Sequence, residues 1–135
     1  MSKTQARSRR GKLPKVDEHS FRSNCSISRT LELLGDKWTL LIVRDLMWHG
    51  KSTFKELADA EGIPTNLLSN RLQRLIDWGL ARRKRYQDNP VRYTYYLTDA
   101  GLALEETLLR IMAWGNRYLD GGLFDPGNQG RKDGS

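Results

Sequence analysis

This sequence predicts a mainly α fold carrying one β-hairpin (α+β), and three observations point to it. Leucine and isoleucine recur at three- and four-residue spacing in successive segments, each bounded by glycine, proline or a capping residue. Two runs rich in tyrosine, valine and arginine flank the turn residues Asp88-Asn89-Pro90. The chain has 135 residues, enough for one domain with a real core and too few for two ordinary ones.

Each element has its own justification. Asn24-Cys25-Ser26 offers polar capping groups before Ile27, Leu31 and Leu34, a helical spacing that Gly35 ends. A second helix is expected from about Asp36 to Met47, with Trp38, Leu41 and Ile42 toward the core and Gly50 closing it. The run from Ser52 to Leu57 reads as the cap and first turn of a third helix that stops near Gly62. Pro64 suits the first turn of a fourth, which reaches its C-terminal cap at Gly79. Strands are expected over residues 80–87 and 91–97, joined by Asp88-Asn89-Pro90. Thr98 then caps a last helix running to about Leu119, with Leu102, Leu109, Ile111, Met112, Trp114 and Tyr118 available to bury. Residues 1–23 are expected to be a disordered basic tail, 24–119 the folded domain and 120–135 a flexible C-terminal tail.

Rotation of the fourth helix by 100° per residue separates two faces. Leu68, Leu72, Leu75 and Ile76 share one; Asn66, Asn70, Gln73, Arg74 and Asp77 share the other, with Ser69 at its edge. Amides and hydroxyls both donate and accept hydrogen bonds. A face meant only to be wet would more often carry Glu and Lys, which also propagate helix better than Asn.

Three helices, a tight helix-to-helix turn and a basic hairpin, in that order, make a winged helix-turn-helix with flanking N- and C-terminal helices. A helix fits the major groove of B-DNA, where the side chains of its N-terminal half reach base edges. Those side chains would be Thr65, Asn66, Ser69, Asn70 and Gln73, with Arg71 and Arg74 on the flanks. A hairpin beside it can follow a phosphate backbone or reach a minor groove. Arg92 and members of the run Arg82-Arg83-Lys84-Arg85 would make that contact; strand alternation lets only about half of the run face DNA at once, and Arg83 and Arg85 are the pair chosen.

Charge placement agrees. The formal net charge is +7, but residues 1–23 and 64–96 each carry +5 while the three remaining segments carry −1 each. That distribution is the electrostatic footprint of a nucleic-acid binder. Two solvated charge runs are the plainer alternative.

The segment Leu34-Gly35-Asp36-Lys37-Trp38-Thr39-Leu40-Leu41-Ile42 resembles the hallmark of HxlR-type transcriptional regulators. Further matches follow in order: Phe54-Lys55-Glu56-Leu57, Gly62-Ile63, Leu68-Ser69-Asn70-Arg71-Leu72 and Gly79-Leu80. In the wing they are Pro90, Arg92, Tyr95, Leu97, Thr98 and Gly101. The resemblance spans residues 25–114 without gaps. It departs at Thr53, where members usually have Arg, and at Pro64, where Ser or Ala is common. The first departure puts one phosphate contact in doubt; the second is harmless to a helix start. The resemblance implies a dimeric winged-helix repressor or activator in a bacterial or archaeal cytoplasm, paired through its first and last helices. A two-fold homodimer would read a pseudo-palindromic operator in double-stranded DNA. The ordinary alternative is that the last helix folds its apolar side chains back on its own domain. Rival functions are a MarR- or PadR-like ligand-responsive regulator and a winged helix serving as a protein-interaction module.

Other chemistry is excluded or left open. No apolar run approaches the 18–20 residues or so that a membrane span needs, and no apolar segment follows the N-terminal basic residues as in a signal peptide. One Cys and two His cannot supply the usual zinc ligand set, so no metal or cofactor is expected. Gly50-Lys51-Ser52-Thr53 looks like the end of a phosphate-binding loop, but Asp45 stands where its first glycine is required. No nucleophile elbow or dinucleotide fingerprint occurs, and no enzyme is expected. HxlR-type proteins commonly have a Cys just before the first helix, and in some members it senses oxidants or electrophiles. Cys25 is therefore a redox-sensing candidate, with Arg22 and Arg29 nearby in sequence to favour its thiolate; the alternative is a small buried apolar side chain. Trp48 and His49 either line a small-molecule effector pocket or simply pack. The basic N-terminal tail is either a minor-groove arm or a solubilising leader.

Overall fold

The computed structural model describes residues 12–120; the expectations for residues 1–11 and 121–135 lie outside the described residues. Helix α1 spans Ser26–Leu34, α2 Thr39–Met47, α3 Phe54–Glu61 and α4 Thr65–Asp77. The hairpin follows as β1 (Ala81–Asp88) and β2 (Val91–Leu97), then the short α5 (Asp99–Leu102) and the long α6 (Glu105–Leu119). The architecture is the winged helix-turn-helix that the order of elements predicts.

Local chemistry sets the boundaries. The polar cap expected at Asn24-Cys25-Ser26 does not form: Cys25 sits at the N-cap without a side-chain hydrogen bond. Asn24 Oδ1 instead accepts from Arg29, and the Cys25 N–H donates to Ser23 Oγ. Helix α2 begins three residues later than expected, because the Asp36 carboxylate accepts the N–H groups of Trp38 and Thr39 and the Thr39 hydroxyl. Those bonds make a turn at Asp36-Lys37 in place of a first helical turn. Helix α3 has a complete capping box: Thr53 Oγ1 accepts from the Glu56 N–H, and the Glu56 carboxylate accepts from the Thr53 N–H. Two residues past the end of α4 stands Gly79, whose φ of +81° is a left-handed conformation that favours glycine. The Leu80 N–H then donates back to Leu75 O, closing the helix.

Strands β1 and β2 pair antiparallel, with Ala81 opposite Leu97, Arg83 opposite Tyr95 and Arg85 opposite Tyr93. An irregularity between Arg85 and Gln87 shifts the register, so that Gln87 lies opposite Arg92. Thr53 bridges Thr94, and the Tyr95 N–H donates to Ser52 O. The hairpin is thereby tied to the cap of α3.

The last helix is two helices, a correction to the single run expected from Thr98. Thr98 does cap it, accepting from the Gly101 N–H, but its own hydroxyl donates to Gly79 O. A Cβ on Gly101 would collide with the Leu80 carbonyl oxygen, so α5 lies pressed against the base of the hairpin. The Leu104 N–H donates to Gly101 O, three residues back, where the chain bends into α6.

The core is built from Leu34, Val43, Leu57, Leu68, Leu72 and Leu75, with Leu80 and Leu97 at the hairpin base. From α6 it takes Leu108. Ile27 and Leu31 are exposed, as are Leu102, Leu109, Ile111, Trp114 and Tyr118, while Met112 is half-buried. Buried Asp45 is held by Arg44 and by His49, whose Nδ1 lies 2.7 Å away. Trp48 Nε1 donates to Glu105, joining α2 to α6. A groove of about 440 Å³ between α1 and α5 is lined by Leu33, Leu34, Ala100 and Leu104; Trp48 and His49 are not among its lining residues.

Residues 12–23 correct the expectation of a wholly disordered tail. His19 and Phe21 pack edge-on against each other, 4.4 Å apart, and both lie against Trp78. The Arg22 N–H donates to Glu32, and Pro14 sits where a Cβ on Gly79 would come within 2.7 Å. The ring contacts of this cluster, in which Phe21 and Trp78 are half-buried, offset the entropy of ordering this strap.

Candidate nucleic-acid interface

Helix α4 is fixed from behind by Leu68, Leu72 and Leu75, each almost fully buried. Their burial turns the opposite face outward, and Thr65, Asn66, Ser69, Asn70 and Gln73 are all exposed. Two of these amides are already engaged. Asn70 Oδ1 accepts from Arg71 Nη1, and Gln73 Nε2 donates to Asp77 Oδ1 at 2.8 Å.

Arg71 and Arg74 are held within the domain. Arg71 Nε donates to Asp36 Oδ2 at 2.9 Å, and its side chain is only 18% exposed. Burial pushes the Asp36 carboxyl upward, but hydrogen bonds from Thr39, Arg71 and the Trp38 N–H, with the Arg71 charge, bring it down to about 2. Arg74, expected on the outer face, folds back so that Nη2 reaches Glu32 O and Leu33 O. Those are terminal carbonyls of α1, where a cation is favoured by the helix dipole.

The hairpin divides its cations. Arg83 and Arg85 are exposed, and both lie over the Tyr93 ring, at 4.2 and 6.0 Å; Arg85 also stands 3.5 Å from Asp88. Burial pushes the Tyr95 phenol up, against the opposing effect of Arg83 beside it. By the register, Arg82, Lys84 and Arg92 belong to the other face. All three are exposed, and among the described residues their side chains have no hydrogen bond or ion pair. The predicted set Arg83, Arg85 and Arg92 therefore does not share one face.

Cys25 is exposed, so the buried apolar alternative does not hold. Arg29 directs its donors to Ser23 O and Asn24 Oδ1 and lies 4.7 Å over Phe21. Sequence reasoning missed Asp36 as the partner of Arg71, since a contact 35 residues away leaves no local signal. The Gln73–Asp77 contact was signalled by its i,i+4 spacing.

Among the described residues no helix is long and apolar enough to cross a membrane. Comparison with known proteins finds a match to a family model described as HxlR-like helix-turn-helix over residues 33–122. An HTH-type transcriptional regulator of Mycobacterium tuberculosis is 43% identical over 101 residues, 75% of this chain; the matched stretch spans 63% of that relative's length. The solved structure of YtcD, an HTH-type transcriptional regulator of Bacillus subtilis, superposes with a TM-score of 0.65 at 31% identity, covering 71% of this chain and 98% of that one. The redox regulator HypR in its oxidized form superposes with a TM-score of 0.58 at 30% identity, covering 69% and 96%.

Proposed function

The chain belongs to the HxlR-like helix-turn-helix family, whose named relatives are transcriptional regulators and not enzymes, and from that premise we propose that it binds a specific duplex DNA operator as a homodimer. The observation that carries this is the joint presentation of two surfaces. The amide- and hydroxyl-rich face of α4 stands outward on a buried leucine anchor, beside a wing face whose Arg82, Lys84 and Arg92 have no partner within the described residues. Uncommitted cations suit phosphates, and amides suit base edges. A protein-interaction module has no need of both together.

Pairing rests on the exposed apolar side chains of α1 and α6, which a monomer would leave in water. A homodimer through these helices would place two copies of α4 about one helical turn apart on a pseudo-palindrome, in the cytoplasm where the chromosome lies. The test is selection from a random duplex library with the full chain, followed by binding at several salt concentrations. A symmetric site bound with steep salt dependence is expected; binding without sequence preference or salt dependence would sink the proposal.

A second reading is favoured by the exposure of Cys25 at the start of α1 and by the likeness to HypR, named a redox regulator. With one Cys per chain, a peroxide that oxidises Cys25 leads to a disulfide with a second molecule or with a small thiol. Comparing DNA binding by wild type and Cys25→Ser, with and without peroxide, tests it. An equal response in both proteins removes Cys25 as the sensor.

A further inference from the structure

The geometry points to Asn70 and Gln73 as a pre-oriented pair of opposite polarity, Asn70 offering a hydrogen-bond donor to one base and Gln73 an acceptor to another. This rests on the base-reading role of α4 proposed above. The orientation of each amide follows from its partner. A guanidinium can only donate, so the Asn70 atom beside Arg71 Nη1 is the carbonyl Oδ1, and the Nδ2 hydrogens are left for the groove. An ionised carboxylate can only accept, so the Gln73 atom beside Asp77 is the amide nitrogen, and Oε1 is left free.

Both side chains are exposed and lie three residues apart on one face of α4. An unconstrained Asn or Gln prefers adenine, using donor and acceptor together on N7 and N6. A held amide offers its unengaged pole in full and only half of its engaged one, since Asn70 Oδ1 keeps one lone pair and Gln73 Nε2 one hydrogen. Asn70 then favours an acceptor edge, the O6 and N7 of guanine or the O4 of thymine, and disfavours cytosine. Gln73 favours the exocyclic amino group of adenine or cytosine and disfavours guanine and thymine. Arg71 and Asp77 are the positioning residues, and Asp36 in turn holds Arg71 through its Nε. Asp36 and Asp77 are thus part of the readout, although neither need touch DNA.

The test compares the sites selected from a random duplex library by the full-length wild type, Asp77→Ala and Asn70→Asp. Each position is scored as a ratio of affinities between bases, which a uniform change in DNA affinity does not move. Wild type is expected to discriminate by about tenfold at each of two positions in the half-site. Asp77→Ala frees the Gln73 amide, so the preference at one position narrows from adenine or cytosine to adenine alone, the adenine-to-cytosine ratio rising about tenfold while the other positions keep theirs. Asn70→Asp keeps the Arg71 contact but presents an acceptor, so the preferred base at the second position changes from guanine or thymine to cytosine or adenine. Thermal melts of each variant check that it is folded. Unchanged preferences in both folded variants, or equal broadening at every position, would overturn the inference and leave DNA reading by α4 intact. If the wild type itself enriches no sequence, both readings fall.

Discussion

Asp36 occupies a single position in the chain yet connects three elements: it shapes the turn after α1, accepts the N–H groups of Trp38 and Thr39 at the entry to α2, and pairs with Arg71 of α4. Its removal should cost on the order of 2 kcal/mol, as for other hydrogen-bonded charges, and Asp36→Ala should lower the urea midpoint at pH 7 accordingly. Its carboxyl is held at about 2 against an ordinary 3.8. A depressed carboxylate contributes its stability above the unfolded value and loses it as pH falls through the folded one. Stability should therefore drop between about pH 4 and pH 2 in the wild type, and drop less in Asp36→Asn, as urea titrations across that range would show. Thr53 is a second such residue. Thr53→Ala breaks the capping box and should cost about 1 kcal/mol in the same measurement. At this scale legibility divides by distance. The box was readable because its partners lie three residues apart, whereas the inward turn of Arg74 toward Glu32 O and Leu33 O depends on a packing that no local pattern encodes.

Among the elements, the wing has two faces with different prospects. Arg92→Ala and Lys84→Ala remove unpartnered cations, so each should weaken all duplexes alike and lower the salt slope by about one. Arg83→Ala should change the slope less, because Arg83 is stacked on Tyr93. Plots of log affinity against log salt for the three variants decide it, and a larger effect from Arg83 would reverse the assignment of faces. The hairpin itself was legible from its tyrosines and its turn residues, and it begins within one residue of expectation. Its register was not, because the irregularity after Arg85 has no sequence signal of its own. The break between α5 and α6 was hidden for a related reason. Residues 98–119 carry helical spacing throughout, and the tertiary contact of Gly101 with Leu80 beside the bend has no local signal.

Viewed as a whole, the molecule leaves much of its apolar surface on two helices. Trp114 is 60% exposed and Ile27 71%, so both are available to the proposed pairing surface. If the proposed dimer forms through these helices, Trp114→Glu and Leu31→Lys should each convert it into a species near 15.6 kDa in sedimentation, with the fold retained by circular dichroism. A monomeric wild type would remove the basis of that prediction. The strap of residues 12–23 adds a second molecular-scale effect, since Phe21→Ala should loosen the cluster on Trp78 and raise proteolysis of the N-terminal segment.

The joint at Thr98 has a mechanical consequence. Its hydroxyl donates to Gly79 O at the exit of α4, its N–H donates to Leu80 O just before β1, and Gly101 packs α5 against that same Leu80 carbonyl. The end of α4, the base of the wing and α5 thus meet at one joint. In the proposed homodimer, a small change in the angle at which the two copies meet would be passed through this joint to both copies of α4. It would shift their phase along the double helix while leaving every contact inside each chain as it was.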